Sequence, residues 1–298
     1  MITSLLLAAA LAAPPDTLLV TARWLKARLS DPDLVVLQTG MDRMAYDEGH
    51  IPGARFASMG DFHNHMAPDR LPEPATIAAG LGALGISNRS RVIIAGDPLS
   101  ASILFVALEY VGHGGRTAVL DGGVAAWQAG GGELSREAVT PKATTFTPRV
   151  KQDLVLDAAA VQSRLGQKNV ALLDGRSRAE YEGTAQERLP RTGHLPGAGH
   201  LNWIDTFDSR DLPTRNGRPA DNPPQAARLK PVAELERLFL AAGADKGEEV
   251  VAYCTVGMRA SHLYFVSRLL GYPTRIYVGS MADWTREASR PVVKGAAP

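Results

Sequence analysis

The chain carries one pattern twice, in the same order. Gly49-His50-Ile51-Pro52-Gly53-Ala54 returns as Gly193-His194-Leu195-Pro196-Gly197-Ala198, and Arg91-Val92-Ile93-Ile94-Ala95 is answered by Glu249-Val250-Val251-Ala252-Tyr253. Leu34-Val35-Val36-Leu37 pairs with Val170-Ala171-Leu172-Leu173-Asp174, and the run from Gly122 to Trp127 pairs with that from Gly279 to Trp284. A repeat on this scale constrains the fold more than any single motif, because each copy must bury its own core. With 298 residues the chain is long enough for two such units.

His50 and His194 lie 144 residues apart and Trp127 and Trp284 lie 157 apart, so the second copy holds about 13 extra residues between these motifs. The polar, proline-rich run from Pro213 to Pro224 is their expected place, as a surface loop. Each copy alternates short β-branched runs with longer stretches of helical spacing, which predicts βαβ units and a parallel sheet flanked by helices on both faces. Ala260 to Leu270 reads as one such helix, capped by Gly271, and Ile103 to Val111 as its counterpart before Gly112. The expected division is residues 13–130 for the first unit, an extended linker over 131–152 and residues 153–298 for the second.

The copies differ most after the strand at Glu249–Tyr253, where the chain's single cysteine opens the loop Cys254-Thr255-Val256-Gly257-Met258-Arg259. A strand delivers that thiol to the carboxyl edge of the sheet, and the loop amides with the following helix N-terminus surround it with N–H dipoles. Such surroundings favour a thiolate, which is the nucleophilic form. A lone cysteine is otherwise a small buried hydrophobe. The first copy has Gly96-Asp97-Pro98-Leu99-Ser100 here, with no thiol and with a carboxylate that would repel a thiolate or an anionic ligand.

The strand, the six-residue loop from Cys254 to Arg259, the helix running on to Leu269-Leu270-Gly271 and the Gly279 to Trp284 segment together resemble the rhodanese family of sulfurtransferases, in particular its two-domain thiosulfate and 3-mercaptopyruvate enzymes. The resemblance implies two tandem rhodanese-like domains, the first catalytically silent and completing the cleft of the second. It also implies covalent sulfur transfer: Cys254 takes sulfur from a small-molecule donor such as thiosulfate as a persulfide and passes it to cyanide or a thiol, with no cofactor and no metal. In that reading the N–H groups of Thr255, Val256, Gly257, Met258 and Arg259 stabilise the persulfide charge. Gly257 lets the loop curl.

Arg259 is the candidate for holding a donor's sulfonate, since a guanidinium offers a planar fork to oxyanions; the alternative is an ion pair with its own domain. Arg176, Arg188 and Arg191 are further candidates for the binding wall. Where animal members of the family carry a substrate-binding Arg before the Tyr, this chain has Glu180 in Ala179-Glu180-Tyr181; the alternatives are that the basic function has moved to Arg188 or that the donor is held differently. Arg259 tilts the donor expectation to thiosulfate, with 3-mercaptopyruvate as the alternative. His50 and His194 recur in a copy without a thiol, so a structural role is expected for them, and Asp174 is expected to tie down a loop. His63-Asn64-His65 lacks an evident third metal ligand.

The loop itself admits two rival readings. Cysteine-dependent phosphatases and arsenate reductases place five residues between Cys and Arg, whereas Thr255 to Met258 supply four. A non-enzymatic persulfide carrier or partner-binding module shares the loop but would load once without turnover. A net charge of +1 removes the electrostatic case for nucleic acid or an anionic membrane, and one cysteine excludes an intrachain disulfide. A monomer is expected, since the two copies can pair with each other. The apolar block before Pro14, ending Ala10-Leu11-Ala12, resembles a secretory signal over residues 1–12, although no Lys or Arg precedes it. Periplasmic or secreted location follows from that resemblance, with a cytoplasmic location as the alternative.

Overall fold

The β-branched runs of the first copy form a parallel sheet in the computed structural model, which describes residues 17–64, 70–186, 188–211, 214–215, 218–219 and 227–298. The signal-like block, His65 and most of the run from Pro213 to Pro224 lie outside the described residues. The chain divides between Val150 and Lys151 into two compact units, with residues 62–64 and 70–72 belonging to the second and Ala227 to the first.

In the first unit the strands are β1 (Leu19–Val20), β2 (Leu34–Gly40), β3 (Arg55–Ser58), β4 (Arg91–Gly96) and β5 (Thr117–Leu120), in the order β1-β5-β4-β2-β3. Every pairing is parallel, so each connection needs a crossover. The helices are α1 (Ala22–Lys26), α2 (Met44–Glu48), α3 (Met59–Phe62), α4 (Pro74–Ala83), α5 (Pro98–Tyr110) and α6 (Gly123–Ala129). Trp24 and Leu25 of α1, Tyr46 of α2 and Trp127 of α6 pack on Val36, Ile93, Ala95, Ala118 and Leu120. The alternate residues Val35, Leu37, Val92 and Ile94 are buried on the other face, where α5 packs.

The second unit repeats this plan with α7 (Ala158–Gln162), β6 (Val170–Asp174), α8 (Arg178–Glu182), β7 (Gly199–His200), α9 (Val232–Ala241), β10 (Glu249–Tyr253), α10 (Met258–Leu269), β11 (Thr274–Ile276) and α11 (Ser280–Trp284). Its sheet runs β11-β10-β6-β7, again parallel. Between β7 and α9, β8 (Thr214–Arg215) and β9 (Arg218–Pro219) pair antiparallel as a small ribbon within the extra residues of this copy. Leu172, Val251 and Tyr253 pack against Val161, Met281 and Trp284, each buried aliphatic or aromatic side chain contributing about 1.5–3 kcal/mol. α10 covers the opposite face, and its residues from Ala260 to Ser267 are all buried.

The repeated motifs form the same contacts in both units. His50 stacks on Tyr46 at 4.1 Å and meets its carbonyl at 3.1 Å, while the Tyr46 hydroxyl donates to the Ala54 carbonyl at 2.7 Å. His194 stacks on Tyr181 at 3.6 Å, meets its carbonyl at 2.8 Å, and the Tyr181 hydroxyl donates to the Ala198 carbonyl at 2.7 Å. Both histidines are thus buried struts of a turn. The indole of Trp127 donates to the Glu133 carbonyl and that of Trp284 to the Pro291 carbonyl, and antiparallel bridges join His50 to Ser135 and His194 to Val293. The start of the expected linker is therefore part of the repeat. Its remainder is extended but fastened to the first unit through Thr144 to Gly82, Thr147 to Asn88 and Arg149 to Val111.

Candidate active site

β10 is a central strand buried along its length, and it ends by placing Cys254 at the carboxyl edge of the sheet, 1% exposed. The next three residues curl rather than continue the strand. Gly257 has φ 85° and ψ −18°, and its N–H donates to the Cys254 sulfur at 3.1 Å. α10 begins directly after it, and Ser261 is the first residue whose N–H is bonded back, to the Gly257 carbonyl. The N–H groups of a helix's first turn have no partner within the helix, so the sulfur sits at the positive end of α10.

The loop is fastened from a second side by the start of α11. The Cys254 N–H donates to the Ser280 hydroxyl oxygen at 3.0 Å, and that hydroxyl donates to the Tyr277 carbonyl at 2.8 Å. Ser280 lies 4.0 Å from the sulfur, with its proton committed elsewhere. It is the only non-glycine residue with positive φ among the described residues, at 51°. Met281 and Ala282 donate their N–H groups to the carbonyls of Cys254 and Thr255. Ser280 was not foreseen as a site residue; the signal for it is the serine standing where the first copy has Gly123.

Arg259 does not face the cavity as a free fork. Its Nη1 and Nη2 donate to the two oxygens of Glu180, each at 2.7 Å, and Nη2 also donates to the Thr255 hydroxyl at 2.7 Å. Both partners are mostly buried, 24% and 17% exposed. Burial alone would raise the Glu180 carboxyl's pKa, but the hydrogen bonds and charge of Arg259 with those from Ser177 lower it to about 2. Burial likewise works against the charged form of Arg259, and the Glu180 bonds with the charge of Cys254 more than offset it. Sulfonate binding by an unengaged Arg259 is thereby corrected to an ion pair. Glu180 is the residue the sequence expectation missed, although Ser177-Arg178-Ala179-Glu180 is a legible capping box: Ser177 N donates to Glu180 Oε2 at 2.9 Å and Glu180 N to the Ser177 hydroxyl at 3.4 Å.

The other arginines separate clearly. Arg176 is 0% exposed, bonded to Asp174 at 2.7 Å and to the Gly193 carbonyl at 2.6 Å, so it ties the end of β6 to the histidine turn instead of lining a binding wall. Arg191 donates to the carbonyls of Arg290 and Glu287 and holds the C-terminal segment. Both expectations are corrected by these bonds. Arg188 does line a cavity of about 440 Å³ with Glu180, Leu189, Thr255, Val256, Arg259 and Ala282. Met258 is the first residue of α10, half-buried, as are Thr255 and Val256.

In the first unit Gly96 stands where Cys254 stands in the second, and Asp97 accepts the N–H groups of Leu99 and Ser100 at 3.1 and 3.0 Å. The carboxylate thus caps α5, occupying the end of the helix in the way the thiol does at α10. A model of the rhodanese-like domain matches residues 21–130 and again residues 157–287. The chain belongs to the rhodanese family. A rhodanese relative of Pseudomonas aeruginosa, named "Probable 3-mercaptopyruvate sulfurtransferase", is 33% identical over 296 residues, covering 93% of this chain and 98% of its own. The thiosulfate sulfurtransferase of Corynebacterium glutamicum is 31% identical over 294 residues, covering 93% and 90%. Among solved structures, the anaerobic ergothioneine biosynthesis enzyme of Chlorobium limicola, in complex with trimethyl histidine, superposes with a TM-score of 0.79 at 21% identity, over 94% of this chain and 70% of that one. At that identity the likeness establishes the tandem rhodanese fold.

Proposed function

We propose that the chain is a sulfurtransferase in which Cys254 carries sulfur as a persulfide from a small anionic donor, thiosulfate or 3-mercaptopyruvate, to cyanide or a thiol. The observation that carries this reading is the Gly257 N–H on the Cys254 sulfur at 3.1 Å, at the start of α10 and in the loop whose Thr255, Val256 and Arg259 line a cavity. Kinship to proteins named for both donors supports the reaction class.

With thiosulfate, the Cys254 thiolate attacks the outer sulfur, the S–S bond breaks, and sulfite leaves with the electron pair. With mercaptopyruvate the thiolate attacks the thiol sulfur, the C–S bond breaks, and the leaving carbanion, stabilised as an enolate, takes up the proton the sulfur gives up, forming pyruvate. Cyanide then attacks the outer sulfur of the persulfide and regenerates the thiolate as thiocyanate leaves. Loop dipoles that stabilise the persulfide charge assist loading without reorganising. The case for thiosulfate over mercaptopyruvate loses the support of a free Arg259, and the Pseudomonas relative's name favours mercaptopyruvate.

Steady-state assays with each donor and cyanide test the proposal, with Cys254→Ser as control. Turnover lost in the variant supports it; one-time loading without turnover replaces the enzyme by a carrier. The N-terminal block adds a location to the proposal: cleavage after Ala12 on export, which N-terminal sequencing of protein from the native host reads directly as a start at Ala13.

A further inference from the structure

Resting on the persulfide-transfer reading above, we infer that Glu180 is a specificity-determining residue of the site, weakening its preference for dianionic donors such as thiosulfate relative to monoanionic carboxylate donors such as 3-mercaptopyruvate. Three placements carry this. Glu180 engages both terminal nitrogens of Arg259 at 2.7 Å inside the cavity wall. The carboxylate is itself held by the Ser177 N–H at 2.9 Å and the Ser177 hydroxyl at 2.7 Å, so it is anchored to the start of α8 and does not swing away when a donor arrives. Arg188 lines the same cavity and, among the described residues, makes no ion pair.

The charges of Arg259 and Glu180 cancel to first order, leaving Arg188 as the cavity's net positive charge. Coulomb attraction scales with the product of the charges. A cation masked by Glu180 therefore withdraws twice as much free energy from a dianion as from a monoanion in the same place, whatever the local dielectric. The pocket is tuned toward the singly charged donor by a residue that touches Arg259 and Thr255 instead of the sulfur.

Glu180→Gln isolates this effect, because the amide keeps an oxygen for Arg259 and a shape close to the carboxylate while removing the charge. We expect kcat/KM for thiosulfate to rise about tenfold, mainly through KM, and that for mercaptopyruvate about threefold, half the free energy in accord with the charge ratio. Glu180→Asp, which keeps the charge, should retain the wild-type ratio of the two donors. Equal factors for both donors, or a parallel loss with both, would overturn the inference and leave Glu180 a structural strut.

Calorimetric binding of thiosulfate and mercaptopyruvate to Cys254→Ser and to Cys254→Ser/Glu180→Gln reads the same ratio without turnover. Failure of the persulfide reading, seen as no turnover by wild type or undiminished turnover in Cys254→Ser, is thus distinct from failure of this one, seen as equal changes in the two dissociation constants. Unfolding midpoints of each variant, with Glu180→Ala as a second charge-removing substitution, separate misfolding from altered preference.

Discussion

At Gly257 two constraints meet that a side chain cannot satisfy together. Its φ of 85° disfavours L residues, and a Cβ there would lie 2.8 Å from the Val278 carbonyl oxygen. Gly257→Ala is expected to lower stability by about 1–3 kcal/mol and to abolish turnover, since the N–H that reaches the sulfur moves with the backbone. Ser280 shows the opposite choice: the chain accepts a strained φ in return for a hydroxyl that receives the Cys254 N–H. Ser280→Gly relieves the φ and removes the acceptor, so its turnover should fall about tenfold with KM little changed while stability changes by about 1 kcal/mol or less. Unchanged kcat in a folded Ser280→Gly would show that the hydroxyl does not position the loop. These two glycine and serine positions also mark what could be read beforehand. The need for a curled loop was legible at Gly257 in the sequence, whereas the role of Ser280 depends on α11 folding back onto the loop, a contact between residues 26 apart that no local pattern displays.

The strand-loop-helix elements of the two units explain the missing thiol of the first copy better than charge alone does. A Cβ at Gly96 would stand 2.3 Å from the Thr39 carbonyl oxygen, so a cysteine cannot simply be restored there. Gly96→Cys is expected to destabilise the first unit and to add no thiocyanate production above that of the Cys254 site. Asp97→Ala should cost about 0.5–2 kcal/mol by uncapping α5, seen in the unfolding midpoint. α5 begins at Pro98, five residues before the apolar periodicity that suggested it, because Asp97 as cap and Pro98 in the first turn start a helix whose opening residues are not yet periodic. The arginines were misplaced for a related reason. Arg176 and Arg191 satisfy backbone carbonyls and a buried aspartate, and such bonds leave no trace in composition or spacing.

For the whole molecule, the repeat made the two-unit architecture legible from sequence, while the fastening of residues 135–149 to the first unit was not, since it runs through backbone bonds. Acid sensitivity is the corresponding whole-molecule prediction. Burial lowers His262 from 6.5 to about 3 and, with the Arg116 charge, His113 from 6.5 to about 4, so the folded chain binds fewer protons than the unfolded one in those intervals. The stability they confer is complete above about pH 6.5 and is lost as the pH falls toward 4 and 3. Glu180 acts in the same direction over a lower window: its contribution is complete above about pH 4.5 and is lost toward pH 2. Denaturant midpoints should therefore fall progressively from pH 7 to pH 4, and a midpoint that rose on acidification would contradict these assignments.

Intact-protein and peptide mass spectrometry tests the central claim most directly, on protein mixed first with thiosulfate or 3-mercaptopyruvate and then with cyanide. The expected result is the mass of one added sulfur on the peptide holding Cys254, its removal by cyanide with a matching amount of thiocyanate, and neither event in Cys254→Ser. Thiocyanate formed at an undiminished rate by Cys254→Ser, or donor consumed with no sulfur ever found on Cys254, would contradict it.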